Sequence, residues 1–308
     1  MVVVGSYVVD LMSRTPHMPK PGETVLGGPF QMGPGGKGGN QAVAASRQGA
    51  SVTMITKVGQ DLFGEEAIKN FEQESIQTTY ITKDEHEATG AALIAVDQHS
   101  ENMIVVSLGA CGNLTSEDVQ QAREAFINAD IILVQLETSI EAVEATINLA
   151  NELGKPVVLN PAPFQDVRAE VLKKVTYITP NETEASLLTG ITVHDEKTAK
   201  EAAINLFNAG IPNVIITLGK KGCYIYDGSD QGRLIEGFTV DAVDTTGAGD
   251  AFNGGFTTFI ASGLSINEAA KRANAVAALS VTKVGTSPAM PTQKEVEHFL
   301  EREQVKES

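Results

Sequence analysis

The stretch Ile131-Ile132-Leu133-Val134-Gln135-Leu136 is an almost continuous apolar run, followed by a helical pattern over Ile140–Leu153 and a second run at Val157–Leu159. Continuous rather than alternating apolar residues are typical of strands buried on both faces of a parallel sheet. A strand, a helix and a strand in this order predict a β-α-β unit with a right-handed crossover.

The same alternation extends from this unit in both directions along the chain. Further apolar runs predict strands at Val2–Val4, Val52–Thr56, Tyr177–Thr179 and Val214–Leu218. Helical patterns lie at Glu65–Glu74, Glu117–Asn128, Glu182–Thr189, Lys197–Ala209, Ala251–Ser262, Ile266–Lys283 and Gln293–Arg302. The sequence therefore predicts an α/β fold with a doubly wound, mostly parallel central sheet flanked by helices.

Two regions do not fit a parallel core. Ser13–Met32 contains four prolines, and Gly90–Asp97 with Asn102–Leu108 looks like a pair of antiparallel strands. Proline is disfavoured inside a buried sheet because it cannot donate to the ladder. We expect a small separate β structure here, with a plain surface hairpin as the alternative.

Composition limits the class of protein. A chain of 308 residues with 42% hydrophobic and 20% charged residues suits one large α/β domain with a small appendage. A formal charge of −16 argues against nucleic acid or an anionic membrane as partner. No leader pattern and no membrane-length apolar run is present, so we expect a soluble cytoplasmic protein.

The most informative chemical pattern is Asp244-Thr245-Thr246-Gly247-Ala248-Gly249-Asp250, which runs into an Ala/Gly/Phe-rich helical segment. Small residues at a helix N-terminus leave N–H groups open to an anion, with the positive end of the helix dipole behind them. A carboxylate beside that anion can take a proton from a hydroxyl. This combination is what phosphoryl transfer to an alcohol requires, although a dipole-matched Asp250 is the simpler structural interpretation.

A second Gly-rich segment, Gly35-Gly36-Lys37-Gly38-Gly39-Asn40, runs into another Ala-rich helix. The spacing Gly33-x-Gly35-x-x-Gly38 also satisfies the dinucleotide fingerprint of nicotinamide-dependent dehydrogenases. That fingerprint should follow the first strand directly, whereas a Pro-rich segment intervenes here. A Walker-type loop is excluded because Lys37 is followed by Gly38 rather than Ser or Thr.

Several ordered segments together are similar to one known family. They are Gly5-Ser6 with Asp10, Gly35–Asn40, Gln135–Glu137, Asn160–Pro163, Pro180–Ala185, Thr217–Gly219 and Asp244–Asp250. Over nearly the whole chain this set resembles the phosphofructokinase B-type sugar kinases, and their ribose-phosphorylating members most closely.

The resemblance implies a ribokinase-like fold in a single domain, 1–308, with a small β-sheet lid formed by segments of about 11–34 and 90–108. It implies transfer of phosphate from ATP to the 5-hydroxyl of D-ribose, giving D-ribose 5-phosphate and ADP. It also implies magnesium, a potassium-type activator and a homodimer formed through the lid. Kinases of deoxyribose, fructose or adenosine are alternatives within the family; a nicotinamide-dependent dehydrogenase and a non-catalytic sugar-binding regulator are alternatives outside it.

Site residues follow from the same resemblance. The catalytic set is Asp250 as base with the N–H groups of Gly247, Ala248 and Gly249. The sugar set is Asp10, Gly36, Lys37, Gly38, Gly39, Asn40, Glu137 and Asp250. The ATP set is Asn181, Thr217, Leu218, Gly219, Lys220, Lys221, Gly222, Gly249 and Asn274. Glu184 would place magnesium through water, and the monovalent-cation set is Asp244, Thr246, Ser280, Lys283, Gly285 and Ala289.

Some of these residues also have structural interpretations. Asn181 and Glu184 have the spacing of a helix capping box. Asp10 could be a turn residue and Glu137 a strand-end cap. One departure from the family concerns the sugar: Val8 occupies a position where many members carry a sugar-contacting Asn, so we expect weaker or relaxed sugar selection.

Overall fold

The computed structural model describes residues 1–99, 101–229 and 232–307. The strands are β1 (Val2–Val4), β2 (Val8–Arg14), β3 (Phe30–Gly35), β4 (Thr53–Gly59), β5 (Gln77–Asp84), β6 (Thr89–Val96), β7 (Asn102–Gly109), β8 (Ile132–Gln135), β9 (Val157–Asn160), β10 (Tyr177–Ile178), β11 (Asn213–Thr217), β12 (Gly222–Tyr226) and β13 (Arg233–Glu236). The helices are α1 (Lys37–Arg47), α2 (Leu62–Gln73), α3 (Ser116–Gln121), α4 (Arg123–Asn128), α5 (Ile140–Glu152), α6 (Ala169–Leu172), α7 (Glu182–Thr189), α8 (Glu196–Asn208), α9 (Ala248–Ala261), α10 (Ile266–Ser280) and α11 (Gln293–Glu307).

The large sheet has the strand order β13-β12-β11-β10-β9-β8-β1-β4-β5. All neighbours from β11 to β5 pair in parallel, whereas β12 is antiparallel to both β11 and β13. Helices cover both faces of this sheet. Successive residues of a strand point to opposite faces, so they belong to different cores. Val2 and Val4 of β1 belong to the core under α5 and α8, and Val3 belongs to the core under α1 and α9. The predicted doubly wound α/β fold is confirmed.

A second sheet of order β3-β2-β6-β7 stands apart from the first. β2 pairs antiparallel with β3 and parallel with β6, and β6 pairs antiparallel with β7. The predicted small β structure is confirmed, and the alternative of a lone surface hairpin is wrong. Most of the Pro-rich segment between β2 and β3 has no regular structure, as its composition suggests.

Some boundaries differ from the prediction. The helix expected over Glu117–Asn128 is divided at Ala122 into α3 and α4, and the one expected to reach Lys283 ends at Ser280. β2, β3, β5, β12 and β13 were not predicted as strands. β5 is a half-exposed edge strand of mixed polarity, so it lacks the continuous apolar run that reveals an interior strand.

The glycines of the dinucleotide-like spacing lie outside a β-α-β unit of the large sheet. Gly33 and Gly35 belong to β3 of the small sheet, and Gly38 lies in the first turn of α1. This placement argues against a nicotinamide-binding fingerprint. Within the part of the chain that the structure describes, no helix is both long enough and apolar enough to cross a membrane.

Candidate active site

Two helix N-termini lie next to each other on one side of the large sheet. α9 begins after Gly247, which adopts a left-handed conformation with φ of 78°, and α1 begins after Gly36 with φ of 82°. Gly254 allows the two helices to approach closely, because a Cβ there would lie 2.5 Å from the carbonyl oxygen of Gln41. The glycines therefore place the start of α1 beside the first turn of α9.

Asp250 lies in that first turn and is buried. Its Oδ2 accepts a hydrogen bond from Asn40 Nδ2 at 3.0 Å, and its Oδ1 accepts one from Gln41 Nε2 at 2.9 Å. Burial raises the pKa of Asp250, while the charge of Lys37 and the two amide donors act in the opposite direction. The carboxylate is thus held in a fixed orientation with lone pairs remaining for a further donor.

The N-terminus of α9 has room for an anion. No side chain within the described ranges caps this helix, and a Cβ built on Gly249 would meet no atom within 4 Å. First-turn N–H groups of an uncapped helix lack intrahelical partners and carry the positive end of the dipole. Open space lies beside Gly249, whereas a Cβ on Gly247 would lie 3.5 Å from Thr286 and the N–H of Ala248 donates to the carbonyl of Thr245 at 3.3 Å. An anion-binding role for the three residues stays a prediction.

Asp10 lies on β2 of the small sheet, so the turn-residue interpretation is wrong. It lines a cavity of about 860 Å³ between the small sheet and the loops at 242–246 and 284–288. Thr286 Oγ1 donates to Asp10 Oδ2 at 3.2 Å. Burial raises the pKa of Asp10 to about 6, and the nearby carboxylates of Glu137 and Asp250 add to the shift while the Thr286 bond opposes it.

Glu137 lies just beyond the carboxyl end of β8 and is buried. Its Oε2 accepts hydrogen bonds from Ser6 Oγ at 2.6 Å and from the backbone N–H of Lys37 at 2.7 Å. Glu137 therefore caps the start of α1, which is a structural role different from the predicted strand-end cap. The half-buried ammonium of Lys37 is close enough to Asp250 for that carboxylate to raise the pKa of Lys37, against the effect of burial.

Gly36 and Gly38 are required by close packing at the start of α1. A Cβ on Gly36 would lie 2.8 Å from the backbone nitrogen of Val8, and one on Gly38 would lie 2.6 Å from that of Ser6. Gly39, in contrast, would make ordinary contacts with Tyr7 and Phe71. The loop thus lies tightly against the start of β2, near Asp10.

Asn181 and Glu184 form the predicted capping box at the start of α7. Glu184 Oε2 accepts from the backbone N–H of Asn181 at 2.9 Å and Oε1 accepts from its Nδ2 at 3.0 Å. Burial raises the pKa of Glu184, opposed by the Asn181 bond and the Lys37 charge. Among the described residues no group of three or more His, Cys, Asp or Glu side chains could hold a metal directly.

The other predicted nucleotide residues lie in two places: residues 217–222 run from the end of β11 to the start of β12, and Asn274 lies on α10. Thr217 pairs with Asn181 through an isolated parallel bridge, so these two segments are adjacent, and Gly219, Lys220 and Lys221 form a short 3-10 helix just beyond. Leu218 is buried in the core. Gly222 has φ of 101° and lies against β13. Asn274 is buried in α10 and donates to the backbone carbonyls of Ile235 and Glu236, so it fastens β13.

The predicted cation residues lie on the loop before α9 and on the segment that begins at Ser280, the last residue of α10, and Asp244 joins the two. Asp244 Oδ1 accepts from the N–H of Thr246 and Oδ2 from the N–H of Gly285, each at 3.0 Å. Burial alone would raise the pKa of Asp244, but these bonds together outweigh it and lower that pKa. The backbone nitrogen of Lys283 bonds the carbonyl of Ser280, its ammonium pairs with Glu295, and Ala289 ends a short 3-10 helix.

Sequence reasoning gave no site role to several residues of this site, although the segment Asn160–Pro163 was among those that carry the resemblance. These residues are Gln41, Asn160, Thr286 and Ser287, of which Ser287 Oγ donates to Asn40 Oδ1 at 2.7 Å. The signal for Gln41 was present, because Asn40-Gln41 is a polar pair within an otherwise small and apolar helix that is buried on most sides. A buried polar side chain requires hydrogen-bonding partners.

Comparison with known proteins agrees with this architecture. Residues 1–293 match the pfkB family carbohydrate kinases. A ribokinase of Haemophilus influenzae is 44% identical over 98% of this chain and 98% of its own length. A deoxyribokinase of Salmonella typhi is 39% identical over 97% of this chain and 98% of its own length.

A solved structure of Arabidopsis thaliana ribokinase complexed with ribose and ATP has a TM-score of 0.92 and 28% sequence identity, covering 97% of each chain. The chain therefore belongs to the pfkB family of carbohydrate kinases, and it has the fold of the ribokinase structures. The resemblance noted from its sequence motifs is confirmed.

Proposed function

We propose that this protein transfers the γ-phosphoryl group of ATP to the 5-hydroxyl of D-ribose, giving D-ribose 5-phosphate and ADP. The observation that carries the proposal is the position of Asp250. Its buried carboxylate is oriented by Asn40 and Gln41 and lies in the uncapped first turn of α9. A relative of 44% identity is a ribokinase, and the ribose- and ATP-bound ribokinase has a TM-score of 0.92 to this chain, which supports ribose as the acceptor.

In this mechanism the 5-oxygen forms a bond to the γ-phosphorus as the bond to the ADP leaving oxygen breaks. Asp250 accepts the hydroxyl proton late in the reaction, so a carboxylate of ordinary basicity is a sufficient base. The N–H groups around Gly249 stabilise the charge of the phosphoryl group in flight. Lys37, close to Asp250, adds positive charge on the same side.

The sugar would lie in the cavity beside Asp10. An ionised carboxylate accepts two or more hydrogen bonds and has no competing donor, so it suits neighbouring sugar hydroxyls. Asp10 lines the cavity and is held by Thr286. The loop that leads to Asn40, a partner of Asp250, begins beside Asp10, since a Cβ on Gly35 would lie 2.2 Å from Asp10 Oδ1. We assign Asp10, Gly36, Lys37, Gly38, Gly39, Asn40 and Glu137 to the sugar side, Glu137 acting through the start of α1.

The nucleotide would lie along the two adjacent segments at Asn181 and Thr217. Thr179, two residues before Asn181, bonds Asn253 of α9 and so brings these segments close to the start of that helix. Leu218 is buried in the core and so fixes the course of this loop. Asn274 holds β13 in place by donating a hydrogen bond to the backbone carbonyl of Ile235. Lys220 and Lys221 are exposed at the end of the same loop.

Magnesium, when bound, neutralises phosphate charge. Both Glu184 oxygens already accept bonds from Asn181, so a direct carboxylate cage does not fit, whereas contact through water does. For a monovalent cation, the Asp244 carboxylate is used by two N–H groups, so backbone oxygens of the two loops are the fitting ligands. Such a cation would stiffen the loop that precedes Gly247.

2-Deoxyribose is a second candidate acceptor because of Val8. Val8 and Asp10 project from the same face of β2, since they are two residues apart in a strand. The Val8 side chain packs with Ala92 and Cys111 and offers a sugar hydroxyl no polar partner. A site without a partner for a hydroxyl cannot strongly reject the analogue that lacks it.

A homodimer through the small sheet accords with its exposed apolar residues. Val105 of β7 is 62% exposed and Phe30 of β3 is 66% exposed, and the strand register places the exposed residues Met32, Leu93 and Met103 on the same face of the sheet. Contiguous apolar surface of this kind is typical of an interface.

The test is ATP-dependent ADP release over D-ribose, 2-deoxyribose, fructose, fructose 6-phosphate and adenosine, with product identification by NMR. We expect D-ribose to have the highest kcat/KM and 2-deoxyribose to lie within about 200-fold of it, the limit of discrimination without a hydroxyl partner. A higher kcat/KM for fructose 6-phosphate or adenosine would contradict ribose as substrate, and absence of ADP release with every acceptor would contradict kinase activity.

A further inference from the structure

Gln41 is a fully buried amide on α1 that lies between Asp250 and the large sheet. Its Nε2 donates to Asp250 Oδ1 at 2.9 Å and to Asn160 Oδ1 at 3.0 Å. Its Oε1 accepts from Gln135 Nε2 at 2.8 Å. Both amide hydrogens and one oxygen lone pair of Gln41 are therefore engaged.

The orientation of this amide is determined by the sheet. Gln135 and Asn160 are register partners at the carboxyl ends of β8 and β9, and Asn160 Nδ2 donates to the carbonyl of Thr179 at 3.1 Å. A reversed Gln41 amide would direct its nitrogen at the Gln135 donor and its oxygen at the Asp250 acceptor. The sheet thus presents one N–H of Gln41 to Asp250 in a fixed direction.

The end of the neighbouring strand β10 also holds the backbone next to Asp250. Thr179 Oγ1 donates to Asn253 Oδ1 at 2.5 Å, and Asn253 Nδ2 donates to the carbonyl of Gly249 at 2.8 Å. Two separate routes therefore connect the sheet to the first turn of α9, one to the carboxylate and one to the main chain.

The hydrogen-bond network around Gln41 lowers the stability of the fold at one atom. Gln135 Oε1 is buried and has no hydrogen-bond partner within the described parts of the chain, and a Cβ on Gly5 would lie only 2.0 Å from it. Buried polar atoms without partners are destabilising and uncommon in folded proteins. Functional positions are where stability is typically given up for a required geometry.

We infer that Gln41 is a positioning residue for the proposed phosphoryl transfer, holding the Asp250 carboxylate toward the acceptor hydroxyl, with Gln135 and Asn160 fixing Gln41 in turn. The inference rests on the proposed function. The Gln41 donor also favours the ionised carboxylate, in an environment where Lys37 acts in the same sense and the acidic groups Glu137, Glu184 and Asp10 act against it.

The experiment compares Gln41→Met with wild-type enzyme, since Met keeps the length and loses the donors. We expect kcat to fall about 10- to 100-fold through misplacement of the base, with KM for D-ribose changed less than about threefold. The acidic limb of kcat against pH should move up by about one pH unit, because one hydrogen bond to the charged form is lost.

Gln48→Met is the matched control. Gln48 is a buried amide at the C-terminal end of the same helix, and its Nε2 donates to the carbonyl of Pro291 at 2.7 Å, outside this network. Gln48→Met should lower Tm while leaving kcat, and the acidic limb of kcat against pH, unchanged. If Gln41→Met shows the same kcat and acidic limb as Gln48→Met, the inference is wrong.

A second variant, Gln135→Met, tests the inference in case Gln41→Met does not fold. Gln135→Met keeps the Gln41 donor but removes the group that sets its orientation, so kcat should fall with little change in KM. Wild-type kcat and an unshifted limb in Gln135→Met would overturn the inference. A wild-type protein that phosphorylates no sugar would overturn the proposed function instead, which separates the two failures.

Discussion

Replacing Asp250 by Asn removes the negative charge from the centre of the site with almost no change of shape. The oxygen of the introduced amide can accept from either Gln41 or Asn40, but its NH₂ must then face the donor of the other, because both neighbours donate to the present carboxylate. Losing one hydrogen bond to a charged group costs about 1.5–3 kcal/mol. Removing a buried charge offsets this, so we expect the free energy of unfolding to change by less than about 2 kcal/mol.

The effect on turnover should be much larger than the effect on stability. Removal of a general base typically lowers the rate about 10²- to 10⁴-fold, which is about 2.7–5.4 kcal/mol in activation free energy. ATP affinity should stay within about threefold, since Asp250 acts on the acceptor hydroxyl rather than on the nucleotide. The assay is coupled ADP release with D-ribose, together with calorimetric titration of an ATP analogue and thermal unfolding.

Asp118→Asn provides the control for a neutralised carboxylate. Asp118 lies on α3, across the large sheet from α9, where it caps the helix and accepts from Lys57 at 2.8 Å. It should lose about 1 kcal/mol of stability and keep kcat within twofold. If Asp250→Asn retains kcat within threefold of wild type, Asp250 is not the base.

Three further predictions concern the sugar, the cation and the assembly. KM for D-ribose should rise as pH falls through about 6, because protonated Asp10 loses acceptor capacity, and a KM that stays constant across that pH would refute Asp10 as the cause. Between about 6 and its unfolded value of 3.8 this group by itself makes the fold more stable as pH falls, so Asp10→Asn should lose that contribution when its Tm is compared with wild type at each pH. Activity should rise when potassium replaces tetramethylammonium at constant ionic strength, and Asp244→Ala should abolish the rise because it releases Thr246 and Gly285; equal wild-type rates in both salts would count against a cation site. Val105→Lys should convert a dimer to a monomer in sedimentation experiments, and a wild-type monomer at micromolar concentration would exclude assembly through the small sheet.

Local sequence patterns determined the secondary structure of the parallel core. Continuous apolar runs identified β1, β8, β9 and β11 to within about two residues, because strands buried on both faces need apolar residues at every position. The capping box at Asn181 and Glu184 was equally readable, since its partners are three residues apart. The edge strand β5 was not, because half of its surface is exposed and polar residues are tolerated there.

Motif resemblance identified the family and supplied the candidate site residues, but not their arrangement. The Gly-rich loops and Asp250 are recognisable in the chain as short segments. Which groups touch Asp250 is a matter of packing: Gln41 is 209 positions away, and α1 reaches α9 only because Gly254 lacks a side chain.

Tertiary structure alone decided the contacts that tune the site. Thr286 holds Asp10 across 276 positions, and Gln135 and Asn160 set the Gln41 amide through the register of β8 and β9. The sequence by itself determined most strands and helices of the parallel core and which chemistry the loops can support, because those depend on near neighbours. The orientation of a buried amide and the pKa of a carboxyl depend on burial and on distant donors, which exist only once the sheet and helices have packed.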